Sequence, residues 1–147
     1  MAYQFILIPA LVVIITQIVK LSIDKIRGNM TVQNIFISYG GMPSAHTAFA
    51  VSITTLLAFE FGLASPLFAA SAVFTIIIMR DATTFRNILG KQGRAFNEIR
   101  AALPKDKQKN YPRFSERVGH SVSEVAVGAV FGAALSILLR EIISVLV

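Results

Sequence analysis

The 147-residue chain is 54% hydrophobic with a mean hydropathy of +0.66, yet carries 14 Lys and Arg against 8 Asp and Glu, a formal charge of +6. A soluble basic domain would scatter such charges over its elements, whereas here uncharged runs alternate with charged ones, so residues 1–147 read as one small integral-membrane domain. The lack of cysteine excludes a disulfide framework, a thiolate nucleophile and a Cys-based metal site.

The first apolar run, Phe5 to Val19, is uncharged, ends at Lys20 and contains Pro9, whose kink a membrane helix tolerates. A signal peptide is the other reading. The region before the run has no Lys or Arg, and no small-residue cleavage pattern precedes Lys20, so the run is expected to be retained. Gly40-Gly41-Met42-Pro43 breaks the chain before the second run. Pro43 is expected in the first helical turn, with Ser44 to His46 at the positive end of the helix.

That second run reaches Phe59, and a turn containing Glu60, Gly62 and Pro66 leads into the third, Leu67 to Met79. The two should form an antiparallel helix pair. Both are shorter than the roughly 20 residues that cross a bilayer, so their ends extend into the flanking turns or the bilayer thins. Arg80 and Asp81 are expected to close the third helix. From Arg80 to Gly119 the chain holds ten basic and four acidic residues; Arg86 to Leu103 reads as a helix with Phe96 and Ile99 on its apolar side, and Pro104 to Asn110 as a surface turn. The last run, Ser121 to Leu139, has Gly128 and Gly132 at a spacing that lets another helix backbone approach closely, within one chain or between two copies of a homo-oligomer. The fold class is therefore all-α: a compact polytopic membrane bundle of about four transmembrane helices with a basic interfacial helical segment.

Charge orients the chain. Lys20 to Ala45 carries a net +2 and Arg80 to Gly119 a net +6, while the opposite loop and ends carry only Glu60, Arg140 and Glu141. The positive-inside rule puts both basic segments in the cytoplasm, in a multi-pass protein of the cell membrane. Lys20, His46, Asp81 and His120 then all arrive at that one membrane face. Lys20 and Arg27 can meet phosphate oxygens there, although basic residues flanking a span also anchor it by snorkelling. Asp81 and Arg86, five apart, either fold over the site or pair with each other. His120 and Glu124 share a helix face at i and i+4, which lets the carboxylate fix the tautomer and frees the other ring nitrogen to attack phosphorus or hold a metal. His46 is the candidate acid.

These residues carry a resemblance. Gly41-Met42-Pro43-Ser44-Ala45-His46, Asp81 with Arg86, Gly90-Lys91-Gln92, and Gly119-His120-Ser121-Val122-Ser123-Glu124-Val125 with Gly128 resemble the divergent bacterial and plant branch of the type 2 phosphatidic acid phosphatase superfamily, related to acid phosphatases and vanadium-dependent haloperoxidases. Lys20 and Arg27 match the superfamily's Lys-x6-Arg spacing, with Gly28 in place of Pro; Pro43, Ser44 and His46 match Pro-Ser-Gly-His, with Ala45 for Gly. His120 and Glu124 match the nucleophile and its carboxylate, with Glu for Asp. Where the third motif has an arginine, six residues before the nucleophile, this chain has Phe114, flanked by Arg113 and Arg117.

The resemblance implies hydrolysis of a lipid or isoprenyl phosphomonoester without metal or cofactor. His120 would be the phosphorylated nucleophile, Glu124 its orienting group and His46 the acid; Lys20, Arg27, Ser44 and one of Arg86, Arg113 or Arg117 would bind phosphate. The rival from another class is a non-catalytic scaffold or regulatory subunit whose basic face binds anionic membrane lipids. A metal site of His46, Asp81, His120 and Glu124 is a third reading, lacking a dense ligand motif. The basic segments contain no nucleic-acid-binding module, so no nucleic-acid partner is expected.

Overall fold

In the computed structural model, residues 3–26, 41–116 and 118–146 are described, and all their regular elements are helical. Helix α1 (Gln4–Ile26) buries Ile8, Val12, Thr16 and Lys20, four residues repeating at i+4 along one lengthwise stripe. Pro9 lies inside it without ending it. Helix α2 (Ala45–Phe61) is capped by Ser44, whose side chain accepts from the Thr47 amide. Pro43 thus precedes the cap instead of occupying the first turn, a correction to the sequence expectation. Gly62 ends α2 at φ 79°, where a side chain would be strained.

Ser65 caps α3 (Pro66–Arg80), with Pro66 in the first turn where its missing amide costs nothing. Short connection and packing make α2 and α3 the expected antiparallel pair, joined by Thr54 Oγ1 to Thr75 Oγ1 at 2.8 Å and by Thr75 Oγ1 donating to Ala50 O at 3.2 Å. Such bonds hold helices together where lipid supplies no hydrophobic drive.

Arg80 and Asp81 do not close α3. The helix widens into a π-turn over Asp81–Phe85 and continues as α4 (Arg86–Ala102), the Arg86 amide bonding to Asp81 O. The expected surface turn after Pro104 contains one helical turn, α5 (Lys105–Gln108). The chain then returns along α4 to α6 (Val122–Leu146). The return segment lies so close that Cβ atoms at Gly90 and Gly93 would fall 2.7 Å from Glu116 O and Ser115 O. Phe96 packs edge-on against Tyr111 and Phe114, while Ile99, three residues on along the same side of the helix, stays exposed.

Three helical stretches, Gln4–Ile23, Pro66–Ala102 and Val122–Val145, are long and apolar enough to cross a membrane, and α2 is a shorter apolar helix among them. At its 17 residues, α2 spans about 25 Å. It is the central helix, packed on α1, α3 and α6. Gly128 and Gly132 of α6 face it: their Cβ atoms would stand 2.6 Å from Ser44 O and 2.5 Å from Ala48 O. The small-residue seam therefore packs within one chain.

Candidate active site

The two ends of the bundle differ in chemistry. At one, Gln4 donates to Glu60, Phe5 stacks on Phe61 and Arg140 lies over the Phe59 ring. At the other stand the last turn of the α1 stripe, the α2 cap, the π-turn and the start of α6. Lys20, Ser44, His46, Asp81, Arg86, His120 and Glu124 all belong to this second end. The links are explicit: Ser44 N donates to Glu124 O at 3.2 Å, and His120 N donates to Ala82 O in the π-turn at 3.0 Å. His46 lies in the electrostatic field of Arg86, Lys20 and Asp81, and His120 in that of Glu124, Lys20 and His46.

Lys20 is buried because it continues the inward stripe of α1. Its stem crosses Gly41, where a Cβ would sit 2.9 Å from Lys20 Cε, and the φ of 96° there favours glycine. His46, on the first turn of α2, is exposed, whereas His120 is buried.

The π-turn explains the five-residue spacing of Asp81 and Arg86. An i→i+5 hydrogen bond adds one residue to the turn and brings residues five apart to the same face. Arg86 Nε accordingly meets Asp81 Oδ2 at 2.6 Å.

His120 Nδ1 lies 3.3 Å from Glu124 Oε2, but the approach lacks hydrogen-bond alignment and leaves that nitrogen without a bonded partner among the described residues. The carboxylate instead accepts from the Ser121 amide at 2.8 Å, while Ser121 Oγ accepts from the Glu124 amide at 3.3 Å. This reciprocal pair is a capping box, so Glu124 starts α6 as well as facing the ring. Burial pulls the His120 pKa below its ordinary 6.5, opposed by Glu124 and reinforced by Lys20 and His46. Burial therefore favours the neutral ring.

Arg113 does not reach this end. It lines an open groove of about 410 Å³ with Arg94, Asn97, Arg100 and Glu116. Asn97 bonds to Phe114 O there, ten residues along α4 from Asn87, or about 15 Å, whereas Asn87 is beside His120. Asn97, then Arg94, hold the Glu116 carboxyl below its usual range. Arg27 and Arg117 lie outside the described residues. Among the described residues, no three His, Cys, Asp or Glu side chains gather closely enough to hold a metal ion.

Two neighbours of His120 were not singled out from sequence. Ser121 was legible as the start of a Ser-x-x-Glu capping box. Asn87 was not: its Nδ2 donates to His120 O at 3.0 Å and Thr83 O at 2.8 Å, a bridge that exists only because the return segment docks on the π-turn. Gly119 has no room for a Cβ against Asn87. Asn87→Ala removes both bonds and is expected to cost about 1–3 kcal/mol, read as a lower unfolding midpoint in detergent; an unchanged midpoint would show the bridge to be dispensable.

A model of the divergent PAP2 family matches residues 1–135. The chain belongs to that family. It is also 35% identical over 141 residues, 86% of this chain and 87% of the other, to a Bacillus subtilis (strain 168) protein described as uncharacterized membrane protein YuiD. No solved structure matches. This divergent PAP2 protein is thus a helical membrane protein with Lys20, His46, Asp81, Arg86, His120 and Glu124 at one end of its bundle.

Proposed function

We propose that this protein is a membrane phosphatase that hydrolyses a lipid or isoprenyl phosphomonoester through a phosphohistidine. The observation that carries the reading is the meeting of buried His120 with Glu124, His46, Lys20 and Arg86 at one end of the bundle. With Nδ1 toward Glu124, Nε2 is the nitrogen that attacks phosphorus. The P–O bond to the leaving alcohol breaks, and His46 supplies the proton. Water then attacks phosphorus, His46 takes a proton from it, the P–N bond breaks, and inorganic phosphate leaves neutral His120 behind. Lys20 and Arg86 neutralise the phosphoryl oxygens, and Ser44 adds a hydrogen bond. Arg86, at the start of α4 just after the π-turn, takes the place in this reading that sequence alone shared among Arg86, Arg113 and Arg117.

The protein reconstituted in lipid is expected to release phosphate from such substrates in the presence of chelator, and His46→Ala to slow turnover about 10²–10⁴-fold at unchanged folding. Activity lost to chelator and restored by one metal would overturn the metal-free route. The scaffold reading is favoured by one observation: Asp81, 2.6 Å from Arg86 Nε, sets a carboxylate beside the anion position. Headgroup binding without turnover across the substrate panel would decide for it.

The site is proposed to face the cytoplasm, from the excess of basic residues at that end. Single cysteines at Ser65 and Lys107 should then differ: in intact cells a membrane-impermeant thiol reagent labels position 65 alone. Labelling at 107 but not at 65 would invert the protein and give the site an external substrate pool.

A further inference from the structure

On the apolar face of the α4 arm the return segment covers Phe96, through Tyr111 and Phe114, and leaves four other apolar residues open. Phe85, Ile88, Leu89 and Ile99 are 61%, 47%, 55% and 66% exposed, and at 100° per residue they fall in a wedge about 100° wide. Gly90, Gly93 and Asn97, which meet the return segment, project from another side of the helix, while Phe96, packed on that segment, and the exposed Gln92 lie within the wedge.

Length fixes where this face begins. Pro66 to Phe85, the 15 residues of α3 and the 5 of the π-turn, rise about 30 Å, the thickness of a bilayer's hydrocarbon core. Phe85 therefore reaches the edge of the hydrocarbon, and Ile88 and Leu89 follow within one turn. The apolar stripe is continuous with the spanning surface.

Charge selects the occupant. Residues 86–116 hold eight Lys and Arg against three Asp and Glu, a net +5, with Lys91 on α4 and Lys105, Lys107 and Lys109 beyond its end. A second copy of the arm laid on this face would bring two such charges together, whereas an anionic leaflet is attracted. A helix with an apolar face and a cationic flank is the pattern that settles in the headgroup layer.

We propose that α4 is a membrane-surface helix whose Phe85, Ile88, Leu89 and Ile99 face is seated in the headgroup layer of an anionic leaflet, on the side that carries His120. This seating requires α4 to turn away from the α3 axis at the π-turn, a type of irregularity at which helices bend. The arm then holds the mouth of the site against the lipid surface. This seating does not depend on whether the site turns over substrate.

The chain has no tryptophan, so single-tryptophan variants report without background. Ile88→Trp, Ile99→Trp and, as a control on the exposed face of α6, Val130→Trp would be reconstituted into vesicles of phosphatidylcholine with phosphatidylglycerol, with and without bromine on the acyl chains near the headgroup. The expected result is blue-shifted emission at both 88 and 99 that loses most of its intensity to shallow bromine. At position 99 that quenching should weaken in pure phosphatidylcholine, in high salt, and in a Lys91→Glu, Lys107→Glu background. Water-like emission at 99, unquenched while Val130→Trp reports normal insertion, would mean that the arm stands clear of the membrane and would overturn the proposal. Blue-shifted emission at 99 that bromine does not reach, and that reddens as the protein is diluted into lipid, would overturn it in favour of a second copy.

Discussion

His120→Ala protein in lipid is expected to release phosphate at least about 10⁴-fold more slowly than the unaltered chain, the scale of loss when a nucleophile of a cooperating set is removed. It should also lose the acid-labile phosphate that turnover leaves on the unaltered protein. The chain has only two histidines, His46 and His120, so peptide mapping of trapped label is unambiguous. Label should rise in His46→Ala, where leaving-group protonation and water attack are both impaired but the nucleophile remains. Full single-turnover chemistry in His120→Ala, or label on another residue, would remove His120 from the proposed role.

The pH dependence of the same reaction follows from burial. The attacking ring must be neutral, and its pKa is lowered from 6.5. Its contribution to the rate should therefore persist as pH falls to 6.5 and decline only below it. The linked stability has the same sign: the unfolded chain binds the proton more readily, so stability from this group is full above pH 6.5 and is lost as pH falls through the lower folded value.

Gly132→Leu is expected to separate α6 from α2. The first added carbon alone would stand 2.5 Å from Ala48 O, a backbone atom that no rotamer change can move aside. Overpacking of this kind costs about 1–3 kcal/mol where neighbours yield, and more where they do not. The helices would have to part, carrying Ser44 away from Glu124 and so loosening His46 from His120 along with the fold. Thermal unfolding in detergent should show a large loss for Gly132→Leu, a smaller one for Gly132→Ala, and almost none for Val130→Leu on the exposed side of α6. A Gly132→Leu protein as stable as the unaltered one would mean that the seam is not close-packed.

The four apolar runs, their order and the gathering of polar residues at one end were legible in the sequence, because each depends on local composition. A helix long enough to cross lipid must be apolar over its whole length, and an up-and-down path through four of them returns Lys20, His46, Asp81 and His120 to one side. The start of α6 was legible too, in Ser121-x-x-Glu124, since a capping box is formed entirely by neighbours in the chain.

What needed the tertiary structure was everything set by register between distant segments. Sequence could not tell that α3 would pass through Arg80 and Asp81 into α4, because a charged pair at the end of an apolar run ends a span and need not end a helix. One additional residue in a turn decided that Asp81 meets Arg86, and docking of the return segment decided that Asn87 holds His120. The same docking carried Arg113 about 15 Å along α4 to a separate groove, although it lies only seven residues before His120. Composition fixes which segments enter the membrane, but backbone hydrogen bonds between segments far apart in the chain fix which side chains meet there.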